Sequence, residues 1–254
     1  MADKEYSYIL ENPIKVDIGY LYPIKVKDYE TFQRIGGIAQ LDKVALINNF
    51  KDIVKKDERF QPFLEVVEEL DMYDFIRFCG LEQYEDSFLY DLNKQYVDLF
   101  KFCTKNNNGI VFEIIETDEN FQHYIKIIRK MNGIPYEATS PNPEVERRNE
   151  LSRKLESMKG ENIDFESMFT SVCVGLQKTP VEVGEMTLYS FYKIFNRIAH
   201  FKGYDRNILF ATVAKDVTVE PWYKVDEIIE KNQQYITEEQ INKAREQGEL
   251  RSNL

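Results

Sequence analysis

The sequence predicts a mainly α, α+β fold: a small N-terminal lobe with a β-hairpin, followed by a helical C-terminal lobe. Three observations carry that prediction. Pro13-Ile14-Lys15-Val16 recurs ten residues later as Pro23-Ile24-Lys25-Val26, with the period-2 alternation of half-buried strands. Most other apolar residues recur at three- and four-residue intervals, the spacing of a helix face. Ser140-Pro141-Asn142-Pro143 interrupts the chain, because two prolines cannot continue a helix. The lobes are accordingly placed at 1–140 and 141–254.

Segments 14–18 and 23–27 are expected to pair as antiparallel strands on either side of Gly19, with Ile14, Val16, Ile24 and Val26 on the covered face. A one-residue slip would bury Lys15 and Lys25 instead. From 28 to 48, Phe32, Ile35, Ile38, Leu41, Ala45 and Leu46 keep helical spacing, and Gly36-Gly37 divides the run into two helices. One helix is expected over 61–78, with Pro62 in its first turn. Runs 97–103 and 110–115 flank Lys105-Asn106-Asn107-Asn108-Gly109, and Asn-Gly between apolar runs predicts a second hairpin. Asp118 is placed to cap a helix bearing Phe121, Tyr124, Ile125 and Ile128, which Asn132-Gly133 ends.

Past the prolines a charged helix is expected over 144–159. Phe165, Met168, Phe169, Val172, Cys173 and Leu176 then form one stripe, and Leu188, Phe191, Tyr192, Phe195 and Ile198 a second. Pro221 precedes two last helices, 224–234 and 237–248, the latter opened by a capping-box pattern at Thr237-Glu238-Glu239-Gln240.

With 254 residues, 43% hydrophobic and 13% aromatic, the chain can build a core and is not composed like a disordered segment. Its 33 Lys and Arg against 44 Asp and Glu leave a net charge of -11, which repels a phosphate backbone. General nucleic-acid binding is thereby excluded, and the protein is expected not to retain DNA even at low salt. Twelve acids and three bases between Asp57 and Asp98 concentrate the imbalance into a local charge of -9. Such a stretch reads as a solvated face, with a surface for a basic partner as the sharper alternative.

Cys79, Cys103 and Cys173 are far apart and form no CxxC pair, which favours free thiols in a reducing compartment. No basic-then-apolar leader opens the chain, and no apolar run nears the ~18 residues of a membrane span. A soluble cytoplasmic protein with no membrane partner is expected.

Chemistry is sparse. His123 and His200 lack the HExxH or HxxxH partner that a metal site needs, and no GxSxG elbow or Cys/His motif is present. Gly36-Gly37 is not followed by the Lys-Ser/Thr of a phosphate loop. Acid–base work by a pair such as Glu113 and Glu116 would require burial in a cleft. No catalytic, cofactor or metal residue is therefore assigned, and no enzyme is expected. The helix opened by Thr187 can bury Leu188, Phe191, Tyr192, Phe195 and Ile198, which leaves Tyr189, Tyr204, Trp222 and Tyr223 without core duty. Exposed Trp and Tyr dominate interface hot spots, so these four form the expected partner-binding set.

Thr179-Pro180-Val181-Glu182-Val183 followed by Met186-Thr187-Leu188-Tyr189-Ser190-Phe191 resembles a helix opening of tail assembly chaperones of long-tailed bacteriophages, over roughly residues 160–224. The Lys-, Asn- and Tyr-rich composition resembles that of a phage protein from a low-GC Gram-positive host. The resemblance implies a non-enzymatic chaperone or adaptor without cofactors, which binds the tape measure or tail tube protein in the host cytoplasm. An aromatic helical surface in acidic surroundings would shield the apolar stripe of such a partner. The chain departs from the usual pattern in its length and in the hairpin lobe placed in front. Two other readings stay open: a virion structural component, and an acidic inhibitor or decoy acting on a host nucleic-acid or defence protein. An enzyme with a carboxylate site is the third.

Overall fold

A two-residue turn decides the first pairing. The computed structural model describes residues 6–55, 60–81, 88–107, 110–142, 144–149, 151–152, 163–214, 219 and 221–223. After α1 (Tyr6–Ile9), β1 (Ile14–Val16) pairs antiparallel with β2 (Gly19–Leu21), Ile14 opposite Leu21 and Val16 opposite Gly19. Gly19 has φ 120°, where a side chain would be strained, so this turn depends on glycine.

The second repeat copy is thus not the hairpin partner that its alternation predicts. Ile24 and Val26 are buried as expected, and Ile14 and Val16 are half-buried. Lys25, however, bridges antiparallel to Thr187. Val26 N–H donates to the Met186 carbonyl at 2.9 Å, and Leu188 N–H donates to the Ile24 carbonyl at 2.8 Å. Alternation sets which side chains are covered, but any strand of matching register can cover them.

A 3₁₀ turn (Val26–Asp28) leads into α2 (Tyr29–Ile35), and a second one (Gly36–Gln40) breaks the helix where the two glycines predict. Asp42 caps α3 (Lys43–Val54), its carboxylate accepting from Ala45 N–H at 2.8 Å. The single helix expected over 61–78 is two, α4 (Gln61–Glu69) and α5 (Met72–Cys79). Leu70 turns extended, and Asp71 starts α5 afresh by accepting from Asp74 N–H at 2.8 Å.

The second hairpin is absent as well. Its flanks are helical, α6 (Phe88–Thr104) and α7 (Ile110–Glu113), while Asn108-Gly109 lies outside the described residues. Tyr96, Leu99, Phe100 and Cys103 are all fully buried at helical spacing, so the presumed strand is one face of a 17-residue helix. α8 (Asp118–Asn132) is capped by Thr117 rather than Asp118 and ends at Gly133, φ 65°. Asp118 instead accepts from Tyr73 N–H at 2.9 Å, tying α8 to α5.

Residues 144–149 are helical after the prolines, as expected. Then come α9 (Phe165–Leu176), α10 (Pro180–Gly184) and α11 (Leu188–Ala211). The helices expected at 224–234 and 237–248 lie outside the described residues, as does the charged helix past 152. The fold is mainly helical, with its small sheet at the N-terminal end.

One core runs through both halves. Its centre is aromatic: Tyr73, Tyr96, Phe100, Phe112 and Phe121 are each buried to within 2%. Val172, Val183, Leu188 and Phe191 continue it from the C-terminal elements. Asn132 on α8, 1% exposed, accepts from Ile24 N–H at 2.8 Å through its side-chain carbonyl. Tyr29 stacks on Phe165 with ring centroids 3.7 Å apart.

The Lys25–Thr187 junction also carries ions. Glu185 meets Lys25 at 2.5 Å and Lys27 at 2.6 Å, and hydrogen bonds from the two ammonium groups hold its carboxyl down at about 2, against an ordinary 4.5. A depressed folded value means that the stabilisation is present above the unfolded value and is lost as the pH falls toward 2. Wild type is therefore expected to melt above Glu185→Gln at pH 6, with the gap closing as the pH drops from about 4.5 toward 2. Thermal melts across that range check this, and a gap that persists unchanged at pH 2 would assign the effect to something other than ionisation. Because the pair is exposed, the gap should also shrink with added salt.

Candidate functional site

α11 holds 24 residues, a rod about 36 Å long at ~1.5 Å per residue. Thr187 starts it, its hydroxyl accepting from Ser190 N–H at 3.3 Å. The first turn sits in the core: Leu188, Tyr189, Ser190 and Phe191 are all buried. Tyr192 and Phe195 pack against that core from partly buried positions, and burial pushes the Tyr192 phenol up to about 12.

The second half of the helix runs out of core. Phe201, Ile208, Leu209, Phe210 and Val213 are all exposed, Leu209 at 69% and Val213 at 82%. Single exposed apolar residues are ordinary, but five large ones within 13 positions of one segment are not. Residues 221–223 fold back onto the same helix. Trp222 meets Phe201 edge-on at 5.8 Å and Tyr223 at 6.1 Å, and its carbonyl accepts from Arg197 Nη1 at 2.8 Å. The Arg197 guanidinium also lies 5.8 Å from the indole centroid.

Of the four expected partner-binding residues, Trp222 lies against Phe201 and Tyr223 against Trp222. Trp222 is 40% exposed and Tyr223 65%, while Tyr204 is half-buried along the helix. Tyr189 does not belong to this surface. It is 6% exposed, its ring lies 5.7 Å from that of Tyr8, and Lys193 sits over it, so it has the core duty that the stripe left unassigned. Reading one helical face as the whole buried surface missed α1, which covers a second face.

Phe201, Ile208, Leu209 and Val213 were not singled out from sequence. The legible signal was Ile208-Leu209-Phe210, three consecutive apolar residues near the end of the helical run. The surroundings are basic rather than acidic: α11 carries Lys193, Arg197, Lys202 and Arg206 against Asp205 alone.

The remaining candidates stay dispersed. Glu113 and Glu116 are both exposed, so neither gains the burial that acid–base work needs. His123 is exposed on α8 and His200 half-buried on α11, and no metal-holding cluster occurs among the described residues. Cys79 and Cys103 are buried free thiols that burial raises to about 12, which keeps them protonated and unreactive. Glu65, Glu68, Glu69, Asp71, Asp74 and Asp91 are exposed, as the solvated-face reading expects, and Asp98 is half-buried. Among the described residues no helix is long and apolar enough to cross a membrane.

No solved structure matches the chain. It is 26% identical over 222 residues to the SPbeta prophage-derived protein YomV of Bacillus subtilis (strain 168), covering 87% of this chain and 88% of that one. That relationship supports a phage origin. Residues 2–141, which hold the hairpin and the aromatic core, match the YomV N-terminal domain, and residues 157–225, which hold α9 to α11 and Trp222, match the YomV second domain: the chain belongs to the YomV family.

Proposed function

We propose that the chain is a non-enzymatic phage assembly chaperone or adaptor that captures a tail protein, the tape measure or tail tube protein, on the outer half of α11. The single observation that carries this reading is the exposed cluster of Phe201, Ile208, Leu209, Phe210 and Val213 beside Trp222 and Tyr223. An amphipathic helix laid across it would bury apolar surface on both partners, with Trp222 as anchor. Arg197, Lys202 and Arg206 on the same helix favour a partner stripe flanked by acidic residues. Descent from phage agrees with the tail-protein class, which rests on the resemblance of 179–191.

The test pairs purified wild type and Trp222→Ala with the purified tape measure and tail tube proteins of the same phage. Trp222 lies outside the core, so melting should be nearly unchanged while binding weakens by about 2 kcal/mol, roughly 30-fold. Unfolding of the variant would make Trp222 structural, and binding that is absent in wild type would end the tail-protein reading. A second reading, an acidic decoy for a basic groove, is favoured by the exposed carboxylates of α4 and α5. It requires that binding be lost on neutralising Glu65, Glu69 and Asp74 and kept in Trp222→Ala.

A further inference from the structure

We infer that the cleft between the extended segment 22–27 and the C-terminal end of α6 binds a small phosphorylated molecule. The cleft encloses about 370 Å³ and is lined by Lys25, Lys27, Lys101 and Lys105, over a floor that includes Tyr22 and Phe102. An adjoining hollow shares Lys101, Phe102 and Asn107 and adds Arg34 together with Asp98. A protein of net charge -11 thus gathers five cations, against Asp28 and Asp98, around two adjoining hollows.

The ordinary explanations do not consume that charge. Cations near a helix C-terminus usually satisfy its free carbonyls. Here the Cys103 carbonyl accepts from Tyr22 N–H at 2.7 Å, the Phe102 carbonyl from Lys105 N–H at 3.4 Å, and the Phe100 carbonyl from the Thr104 hydroxyl at 2.7 Å. Ion pairing takes only part. Glu185 is shared between Lys25 and Lys27, one carboxylate for two ammonium groups. Among the described residues neither Lys101 nor Lys105 has a carboxylate within ion-pair distance. Lys105 lies 4.3 Å over the Tyr22 ring, a placement that positions the ammonium without neutralising it. With Asp28 also on the lining, the main cleft keeps an excess of two positive charges.

Size and charge select the ligand. The volume is that of a small-molecule site. Lysine ammonium groups are strong point-charge partners of phosphate. Charges beyond about 8 Å are largely screened at physiological salt, so the local excess rather than the overall -11 governs capture. The apolar floor would cover the body of a phosphate ester that pyrophosphate lacks.

The experiment is calorimetric titration of the full chain with pyrophosphate and with ADP. It compares wild type, Lys101→Gln/Lys105→Gln, and a control with Lys51→Gln/Lys55→Gln on α3. Lys25 and Lys27 are left intact because they also hold Glu185. Saturable binding is expected in wild type and in the control, tighter for ADP, and weakened at least tenfold by Lys101→Gln/Lys105→Gln with an unchanged melting temperature. If that variant instead melts early, Lys101→Arg/Lys105→Arg, which keeps the charge, must restore both folding and binding. The proposal is overturned by an absence of saturable binding at millimolar ligand, or by equal losses in the control. Tighter binding of a single-stranded 20-mer oligonucleotide than of ADP would overturn it too, by showing a polymer site.

Discussion

Replacing Phe121 by alanine is expected to remove roughly 3–5 kcal/mol of folding stability, a large part of the ~5–15 kcal/mol that a domain typically has. The ring is the hub of the aromatic centre. It stacks on Tyr73 at 5.4 Å and on Phe100 at 6.0 Å, and meets Tyr96 edge-on at 5.5 Å and Phe112 at 6.1 Å. All four neighbours are anchored on other helices: α5, α6 and α7. None can move into the void without leaving its own contacts, so the cavity term adds to the lost transfer energy. Tyr73 and Tyr96 are held further by their hydroxyls, which donate to the Phe112 and Ile38 carbonyls at 2.7 and 3.1 Å. Urea denaturation of Phe121→Ala beside the exposed control Phe201→Ala measures this. A loss under about 1 kcal/mol for Phe121→Ala would mean that the centre repacks freely.

Asn132→Ala should cost about 3 kcal/mol, for a different reason. The side chain is 1% exposed and bridges two elements, accepting from Ile24 N–H and donating to the Ile128 carbonyl, both at 2.8 Å. Without it the Ile24 N–H is buried and unsatisfied, which alone costs about 1–3 kcal/mol, and a small void follows. The readout that separates this from simple truncation is amide exchange. Ile24 N–H should lose its protection in the variant well before the centre of α8 does, and equal loss at both would point to global destabilisation only.

Much of the helical part was legible because burial follows period. The stripes at 165–176 and 188–198, the glycine break at 36–37 and the stop at Gly133 each follow from a residue whose backbone or hydrophobic preference acts locally. The errors came where a local signal competes with something distant or with a second local signal. Asp71 outranked a continuous stripe, because a capping carboxylate satisfies a helix donor that apolar spacing does not register. Asn-Gly predicts a strand over 97–103, yet the buried residues at 96, 99, 100 and 103 stand at helical spacing. Half of the candidate surface was visible in Trp222 and Tyr223, which lie outside any stripe. Tyr189 was lost to α1, and the lysine cleft was invisible because Lys25 and Lys101 meet only through the fold.

The bridge between Lys25 and Thr187 bears on the order in which the chain is made. The two residues are separated by 162 positions, and ribosomes add about 5–20 residues per second. For roughly 10–30 s after Val26 is polymerised, its amide and the Ile24 carbonyl have no native mate. That interval leaves a short unpaired strand edge beside apolar Ile24 and Val26, the kind of template on which nascent chains join one another. Asn132, made about 55 residues before Thr187, satisfies the neighbouring Ile24 amide, but the Val26 amide and the Ile24 carbonyl still wait for the 186–188 segment. An N-terminal fragment ending near residue 141 would keep the rest of the edge open for good and should associate with itself, whereas the full chain closes it.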